Sequence, residues 1–338
     1  MDDLTLQLQA VFGEALKEHE PMAKHTNFRI GGPARWFAAV TSEGELTRAL
    51  DLCDARGIPW FVMGGGSNSL FADEEFPGLV MQMAMRKTDI VGTRVTAEAG
   101  VLMVGLARAT ADAGLAGLEW AISLPGTVGG AVRGNAGCFG GETKDHLASV
   151  RLLRGNKFID VPASDLDMGY RHSALKGSHD IVLSATFELT QGDASALKAA
   201  QADILAKRKA SQPLYAGSAG CLFKNVELKA DADLQRASSL SDIPGAKEML
   251  ASRRLSAGWL IDKAGMKGTR VGDAQVSETH GNFIVNLGAA RAADVRALAA
   301  RVKEAVHARF GIDLEEEVQW VGEKADKASG GQGLRRFS

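Results

Sequence analysis

Residues 124–142 read LPGTVGGAVRGNAGCFGGE, and seven of the sixteen residues from Gly126 to Gly141 are glycine. So many glycines would weaken an ordinary helix or strand, because glycine loses more conformational freedom on folding than other residues. This glycine-rich stretch is nevertheless too apolar for a linker, since it contains Leu124 and Phe139. A flat, extended ligand lying against exposed backbone explains both features. The alternative is a glycine-rich crossing where two sheets pack closely.

A second cluster, the GGGSN loop at residues 64–68, follows a predicted strand that ends at Val62. Consecutive glycines let backbone N–H groups turn toward a phosphate, and Ser67 and Asn68 add side-chain donors. The loop matches neither GxGxxG nor the Walker spacing, and no helical pattern follows it. A flexible turn is the alternative interpretation. The pattern therefore indicates a phosphate-binding nest that differs from a Rossmann site.

The composition is that of an ordinary globular protein with about two domains as a first expectation. Of 338 residues, 45% are hydrophobic and 24% are charged, and the formal net charge is -2. This charge gives no electrostatic footprint for nucleic acid or for an anionic membrane, although a small anionic ligand remains possible. The N-terminus lacks a secretory signal and no segment approaches 18 apolar residues. We therefore expect a soluble intracellular protein.

The cysteines and histidines argue against a metal site. Cys53, Cys138 and Cys221 are far apart and odd in number, so they suggest neither a metal-type pair nor a disulfide framework. The histidines show no HxxxH or HExxH spacing. We therefore expect no bound metal and a reducing, cytoplasmic compartment.

Helix and strand signals segregate in part along the chain, which predicts an α+β protein with more than one sheet. Ser42 and Glu45 form a capping box at the start of one helix, which ends at Gly57. Three more helices are predicted at residues 102–113, 194–210 and 289–310. Strands are predicted at residues 36–40, 59–62, 79–83, 91–97, 150–153, 181–189 and 283–286.

Both glycine clusters resemble the flavin-binding segments of the UDP-N-acetylenolpyruvoylglucosamine reductase family. The motif KHTNFRIGGPA at residues 24–34 is similar to the N-terminal motif of that family, and the likeness extends to about residue 322. It implies a two-subdomain FAD-binding fold of the vanillyl-alcohol-oxidase type followed by a C-terminal α/β substrate-binding domain. The FAD contacts that the resemblance implies are Gly64, Gly65, Gly66, Ser67, Asn68, Pro125, Gly126, Thr127, Gly129, Gly130, Gly134, Asn135, Ala136 and Gly137.

Residues 169–173, GYRHS, contain an arginine whose planar fork can bind a carboxylate, although a solvated surface arginine is the simpler alternative. The segment resembles the family's Tyr-Arg-x-Ser motif. That resemblance implies that Arg171 binds the substrate carboxylate and the charge that develops on it.

Two further segments resemble catalytic motifs of the family. Residues 218–225, SAGCLFKN, are similar to Gly-Ser-x-Phe-Lys-Asn-Pro, whose serine is the proton donor and is replaced by cysteine in some members. The resemblance implies that Cys221 donates the proton, since a thiol with an ordinary pKa of about 8.5 is a better acid than an alcohol. A small buried apolar role is the alternative for any free cysteine. Residues 314–318, LEEEV, contain three acidic residues, for which a solvated strand entry is the simpler alternative. The segment resembles Leu-x-x-Glu-Val, which implies that Glu317 assists enolate formation.

The remaining matches concern the substrate and are weaker. The resemblance implies substrate contacts from Tyr170, Lys224, Asn225, His280 and Asn282. Cys138 and Phe139 stand where the family often has Ala-Tyr, and Val226 stands where the motif ends in proline. We do not align residues 226–256 with a segment of the family, and no long insertion lies between Arg171 and Cys221, as in the shorter subtype of the family.

The implied activity is NADPH-dependent reduction of the enolpyruvyl ether of UDP-N-acetylglucosamine to the lactyl ether, for peptidoglycan synthesis, with non-covalently bound FAD. We expect a monomer that binds this UDP-sugar and NADPH and has no nucleic-acid or membrane partner. Two alternatives are a flavoprotein oxidase or dehydrogenase acting on another sugar or alcohol and a non-catalytic nucleotide-binding module. The expected boundaries are 1–78 and 79–210 for the FAD-binding subdomains, 211–321 for the substrate domain and 322–338 for a disordered tail.

Overall fold

The computed structural model describes residues 3–322, apart from the side chains of residues 232, 236 and 239. The structure contains helices and several separate β-sheets, which confirms the predicted α+β class. None of the described helices is both long and apolar enough to cross a membrane. The expected disordered tail lies, from residue 323 onward, outside the described residues.

The first unit is built on a sheet with the strand order β1-β2-β5-β3, in which β5 pairs in parallel with both β2 and β3. It also contains two helices, and Ser42 caps the second of them by accepting a hydrogen bond from the N–H of Glu45, as predicted. The elements are α1 Asp3–Phe12, β1 Lys17–Pro21, β2 Pro33–Val40, α2 Glu43–Ala55, β3 Trp60–Met63, β4 Ser69–Phe71 and β5 Phe76–Met83.

Strand β5 spans the first expected boundary. The expected break between residues 78 and 79 lies inside β5, which runs from Phe76 to Met83, and the division into domains stays a prediction. The strand tolerates Pro77 because the pairing of β5 with β3 begins only at Leu79 and its pairing with β2 is irregular between Phe76 and Leu79. Gly78 is required because a Cβ there would lie 1.8 Å from the carbonyl oxygen of Pro59. The Pro77-Gly78 dipeptide, which is typical of a turn, therefore lies near the start of a central strand.

The second unit contains an antiparallel sheet with the order β12-β11-β13-β7-β6 and shares one hydrophobic core with the first unit. The predicted strand at residues 91–97 is in fact two strands joined by a turn at Gly92, whose φ is +62°. The elements are β6 Thr88–Val91, β7 Arg94–Glu98, α3 Met103–Asp112, β8 Leu115–Ala116, α4 Val128–Gly134, β9 Gly137–Cys138, β10 Gly141–Glu142, β11 Leu147–Arg154, β12 Lys157–Pro162, β13 Ile181–Glu188, β14 Thr190–Gln191 and α5 Ala194–Ser211.

Helix α4 lies inside the glycine-rich stretch, where we predicted no helix. The helix forms because its apolar residues Val128, Ala131 and Val132 are buried in the core shared by the first two units. Its Gly129 lies so near the core that a Cβ would be 3.0 Å from the Cβ of Ala99. Asn135 ends the helix in the left-handed conformation, with φ of +41°.

The third unit has a separate hydrophobic core, in which α9 packs on the short sheet β17-β18-β19. The segment that we could not align, residues 226–256, forms a two-stranded pair, β15 with β16, that encloses two short helices. The elements are β15 Val226–Glu227, α6 Asp231–Ala237, α7 Ala246–Ala251, β16 Arg254–Leu255, α8 Ala257–Lys263, β17 Arg270–Val271, β18 Ala274–Val276, β19 Ile284–Asn286, α9 Ala292–Phe310 and β20 Gln319–Val321.

The last strand returns to the first unit. Strand β20 pairs in parallel with β4, which directly follows the GGGSN loop. In addition, the carboxylate of Asp73 accepts hydrogen bonds from the N–H groups of Ala292 and Ala293 at the start of α9. These contacts bring the residues just before β20, Glu317 among them, to the GGGSN loop.

Candidate active site

The GGGSN loop and the glycine-rich stretch contact each other at backbone distance. A Cβ on Gly64 would lie 2.2 Å from Oγ1 of Thr127, and a Cβ on Gly65 would lie 3.3 Å from Cα of Gly126. No side chain fits between the two segments at these positions. The first two units therefore meet through a glycine-lined contact between the two predicted FAD-binding segments.

This contact has the polar character that a dinucleotide cofactor requires. Oγ1 of Thr127 is buried and has no hydrogen-bond partner within residues 3–322. A buried hydroxyl without a partner costs about 1–3 kcal/mol, so a bound acceptor would stabilise this site. Gly134 faces open space, since a Cβ there would meet nothing within 4 Å. The residues present therefore fit FAD, whose phosphates and ring accept hydrogen bonds from hydroxyl and backbone N–H donors.

Two residues of the predicted FAD site also connect it to the catalytic candidates. The side-chain amide of Asn68 donates a hydrogen bond to the main-chain oxygen of Glu317, at 3.0 Å. The buried amide of Asn135 donates to the main-chain oxygen of Gly169, at 2.8 Å, and to Glu142. The cofactor segments and the catalytic candidates are thus held together by direct hydrogen bonds.

Arg171 occupies a strained position in a tight hairpin. Gly169 and His172 exchange two backbone hydrogen bonds of 3.1 Å, with Tyr170 and Arg171 between them. The φ angle of Arg171 is +52°, in the left-handed region that favours glycine. Such a conformation costs roughly 1–3 kcal/mol in a residue other than glycine, and residues of this kind concentrate at functional sites.

The guanidinium group of Arg171 is held by two contacts. Its Nη2 donates to the main-chain oxygen of Gly137 at 2.8 Å, and its Nε lies 2.9 Å from Oε1 of Glu317. The side chains are 22% and 16% exposed, so both charges are largely removed from water. Arg171 is therefore oriented by the protein, with its Nε against Glu317, and its guanidinium group carries a largely buried positive charge.

Burial and charge act against each other on this ion pair. Burial lowers the pKa of Arg171, but Glu317 and its other negative neighbours raise it above its usual value. Burial raises the pKa of Glu317, and the charges of Arg171 and Lys176 reduce that rise without cancelling it. The carboxyl group of Glu317 therefore takes up a proton at a higher pH than an exposed glutamate does.

Short backbone pairings bring Cys221 to the same place. The N–H of Leu222 donates to the main-chain oxygen of Asn282, and the N–H of Glu317 donates to the main-chain oxygen of Leu222, both at 2.8 Å. Cys221 itself pairs with Phe283. Burial, followed by the charge of Glu317, raises the pKa of Cys221 to about 12. The thiol is therefore protonated at neutral pH, as a proton donor must be.

The predicted substrate residues lie around this centre, and several of them are already engaged. The hydroxyl oxygen of Tyr170 accepts a hydrogen bond from the N–H of Asn225, at 3.2 Å, and Lys224 forms an ion pair with Glu315. The ring of Tyr170 also lies under the guanidinium of Arg254, at 4.3 Å from its centroid. Arg254 belongs to the segment that we could not align, so no motif pointed to it.

His280 and Asn282 differ in the hydrogen bonds that their side chains make within the protein. The amide of Asn282 is 3% exposed and bonds to both the N–H and the carbonyl oxygen of Phe223, at 2.9 and 2.8 Å. It holds the backbone beside Cys221. Nδ1 of His280 accepts from the N–H of Asn282, and burial lowers the pKa of this histidine. His280 is therefore a neutral side chain whose Nε2–H can donate to a ligand.

We expect Gly64→Ala to reduce the affinity for FAD at least tenfold. The new methyl group would collide with Oγ1 of Thr127 and push the two glycine segments apart. Fluorescence titration of the apoprotein with FAD measures the effect. Gly44→Ala on α2 is the matched control, because a Cβ there meets nothing within 4 Å and alanine favours the helix. Equal affinities for the two variants would contradict the interpretation.

Comparison with known proteins gives matches along nearly the whole chain. Residues 212–321 match the model of the UDP-N-acetylenolpyruvoylglucosamine reductase C-terminal domain, and residues 34–156 match that of an FAD binding domain. The reductase of this name from Heliobacterium modesticaldum is 40% identical over 93% of both chains. The one from Geobacter metallireducens is 39% identical over 96% of this chain and 99% of its own. The crystal structure of the Thermus caldophilus enzyme superposes with a TM-score of 0.72 at 36% identity, covering 89% of this chain and 97% of that one.

Proposed function

The chain belongs to the UDP-N-acetylenolpyruvoylglucosamine reductase family, and we propose that Arg171, Cys221 and Glu317 are its catalytic residues. It is an FAD-dependent oxidoreductase that uses NADPH to reduce UDP-N-acetyl-3-O-(1-carboxyvinyl)-glucosamine to UDP-N-acetylmuramate for peptidoglycan synthesis. The observation that supports the assignment of residues is the convergence of a buried arginine, a protonated thiol and a carboxyl group beside the two glycine segments.

Bound FAD would supply the redox chemistry, passing the hydride of NADPH to the β carbon of the vinyl group. Negative charge then develops on the α carbon and the carboxylate of the substrate. Arg171 would stabilise this charge, because its guanidinium group is a largely buried cation that the protein already orients. Glu317 orients Arg171 through their ion pair and hydrogen-bonds the enolic form of the substrate.

Cys221 completes the reduction by giving its proton to the α carbon. The S–H bond breaks as the new C–H bond forms, and the thiolate regains a proton from solvent. A pKa of about 12 makes the thiol a weaker acid than an ordinary cysteine, yet still stronger than a serine hydroxyl. Arg171 and Arg208 carry positive charges that lower the pKa of Cys221 and therefore favour release of the proton.

The surrounding residues suggest how the substrate is bound. We assign Tyr170, Lys224, Asn225 and His280 to the UDP-sugar, and Asn282 to the backbone that carries Cys221. NADPH and the UDP-sugar would use this site in turn. The first two structural units would bind FAD and the third the UDP-sugar. A monomeric state and a cytoplasmic location remain predictions.

The assignment of function is tested by following NADPH oxidation spectroscopically. The purified holoenzyme should oxidise NADPH in a multiple-turnover reaction only when the enolpyruvyl UDP-sugar is added, with UDP-N-acetylmuramate as the product by mass spectrometry. Sustained NADPH oxidation without the sugar, with consumption of oxygen, would indicate an oxidase instead.

A further inference from the structure

Lys176 lies directly behind the strained hairpin that carries Arg171. Its Nζ donates a hydrogen bond of 2.8 Å to the main-chain oxygen of Arg171. That oxygen belongs to the residue with φ of +52°, so the bond fixes a backbone conformation that arginine adopts only at a cost. The direction of the Arg171 side chain, and hence its contacts with Gly137 and Glu317, depends on this conformation.

Lys176 is in turn anchored to the cofactor segments. Its main-chain oxygen accepts a hydrogen bond from Nη2 of Arg133, at 3.3 Å, and the hydroxyl of Ser173 donates to the main-chain oxygen of Arg133, at 2.6 Å. Arg133 belongs to α4 within the glycine-rich stretch. The lysine therefore joins the cofactor segments to the turn that carries Arg171.

The ammonium group also acts on Glu317 through its charge. It is the second cation, after Arg171, that lowers the pKa of this carboxyl group. The charged groups that face Lys176 are Lys224, Glu317, Arg133 and Glu315, and burial with the two positive neighbours lowers its own pKa. The carboxyl groups of Glu317 and Glu315 oppose that lowering, so the ammonium group of Lys176 lies between positive and negative neighbours.

We propose that Lys176 is a positioning residue of the reductase, which holds the Arg171 turn by its carbonyl oxygen and keeps a second positive charge beside Glu317. This inference rests on the roles proposed above for Arg171 and Glu317. Lys176 acts through those two residues and needs no contact with the substrate.

Three substitutions separate the hydrogen bond from the charge. Lys176→Met removes both and should lower kcat by roughly 10- to 100-fold, the cost of a small misplacement of a catalytic group. It should also move the acidic limb of the kcat/KM profile to higher pH, because a carboxyl group that loses a cationic neighbour has a higher pKa. Lys176→Gln keeps a donor and should recover kcat but keep the shifted limb. Lys176→Arg keeps the charge and should show the unshifted limb.

Controls make each outcome decisive. Lys198→Met removes an exposed lysine on α5 that pairs with Asp112, and it should change neither kcat nor the pH of the acidic limb. In a Glu317→Gln background, Lys176→Met should no longer shift the acidic limb. If Lys176→Met does not fold, as judged by bound flavin and the melting temperature, the other two variants still decide between hydrogen bond and charge.

Two results would overturn the proposal. One is a Lys176→Met enzyme whose kcat stays within twofold of the parent with an unchanged pH profile. The other is an equal change of kcat and of the acidic limb in Lys176→Gln and Lys176→Arg. That result would indicate that Lys176 acts only through its packing. If Arg171→Met is impaired while Lys176→Met is not, only the role of Lys176 fails. If Arg171→Met is fully active, the catalytic assignment itself fails, and the role of Lys176 fails with it.

Discussion

Cys221→Ala is expected to lower the rate of UDP-sugar reduction by roughly 10²- to 10⁴-fold, the usual contribution of a general acid. The substitution removes one sulfur atom and leaves the backbone pairings of residue 221 with Phe283 intact. The reduction of flavin by NADPH should keep its rate, since that half-reaction needs no proton from the thiol. Stopped-flow absorbance of the flavin separates the two half-reactions in one preparation.

Cys221→Ser is the matched control for this prediction. Serine restores a donor of similar size at the position where the family motif has serine, so we expect activity within about tenfold of the parent. Loss of both half-reactions in Cys221→Ala would show damage to the flavin site, and full activity of this variant would exclude the thiol as the proton donor.

Much of the architecture followed from local sequence signals. The predicted cap at Ser42 marks the start of α2, and the helix predicted at residues 289–310 corresponds to α9, because both signals act within a few residues of the chain. Helix α4 was missed for the opposite reason. Its glycines lower its intrinsic helix propensity, and the core contacts that favour the helix come from distant residues such as Ala99.

The candidate site shows the same limit. The motifs located Arg171, Cys221 and Glu317, which the structure places together through contacts between segments as distant in the chain as those of Arg171 and Glu317. No pattern indicated Lys176, because its contact with the carbonyl of Arg171 depends on a hairpin with a left-handed residue. No sequence pattern indicated that the amide of Asn282 bonds to the backbone of Phe223, because these hydrogen bonds form only when the fold brings the two segments together.

Arg171→Met is expected to reduce the rate of UDP-sugar reduction by about 10²- to 10³-fold, as when one preorganised donor to a developing negative charge is lost. Methionine keeps the length of the side chain but removes the guanidinium cation that pairs with Glu317. The pKa of Glu317 should then rise further, because burial raises it and the largest opposing charge is gone.

The pH dependence of the residual activity distinguishes a lost charge from a damaged fold. With Glu317 protonated over a wider range, the acidic limb of the Arg171→Met profile should lie at higher pH than that of the parent. Arg171→Lys keeps a cation but not the planar fork. It should therefore recover part of kcat, and the acidic limb of its pH profile should lie close to that of the parent. Arg56→Met, at an exposed pair with Asp3, controls for the loss of an arginine elsewhere. Activity of Arg171→Met within threefold of the parent would mean that the substrate carboxylate binds elsewhere, and the ion pair with Glu317 would then be structural.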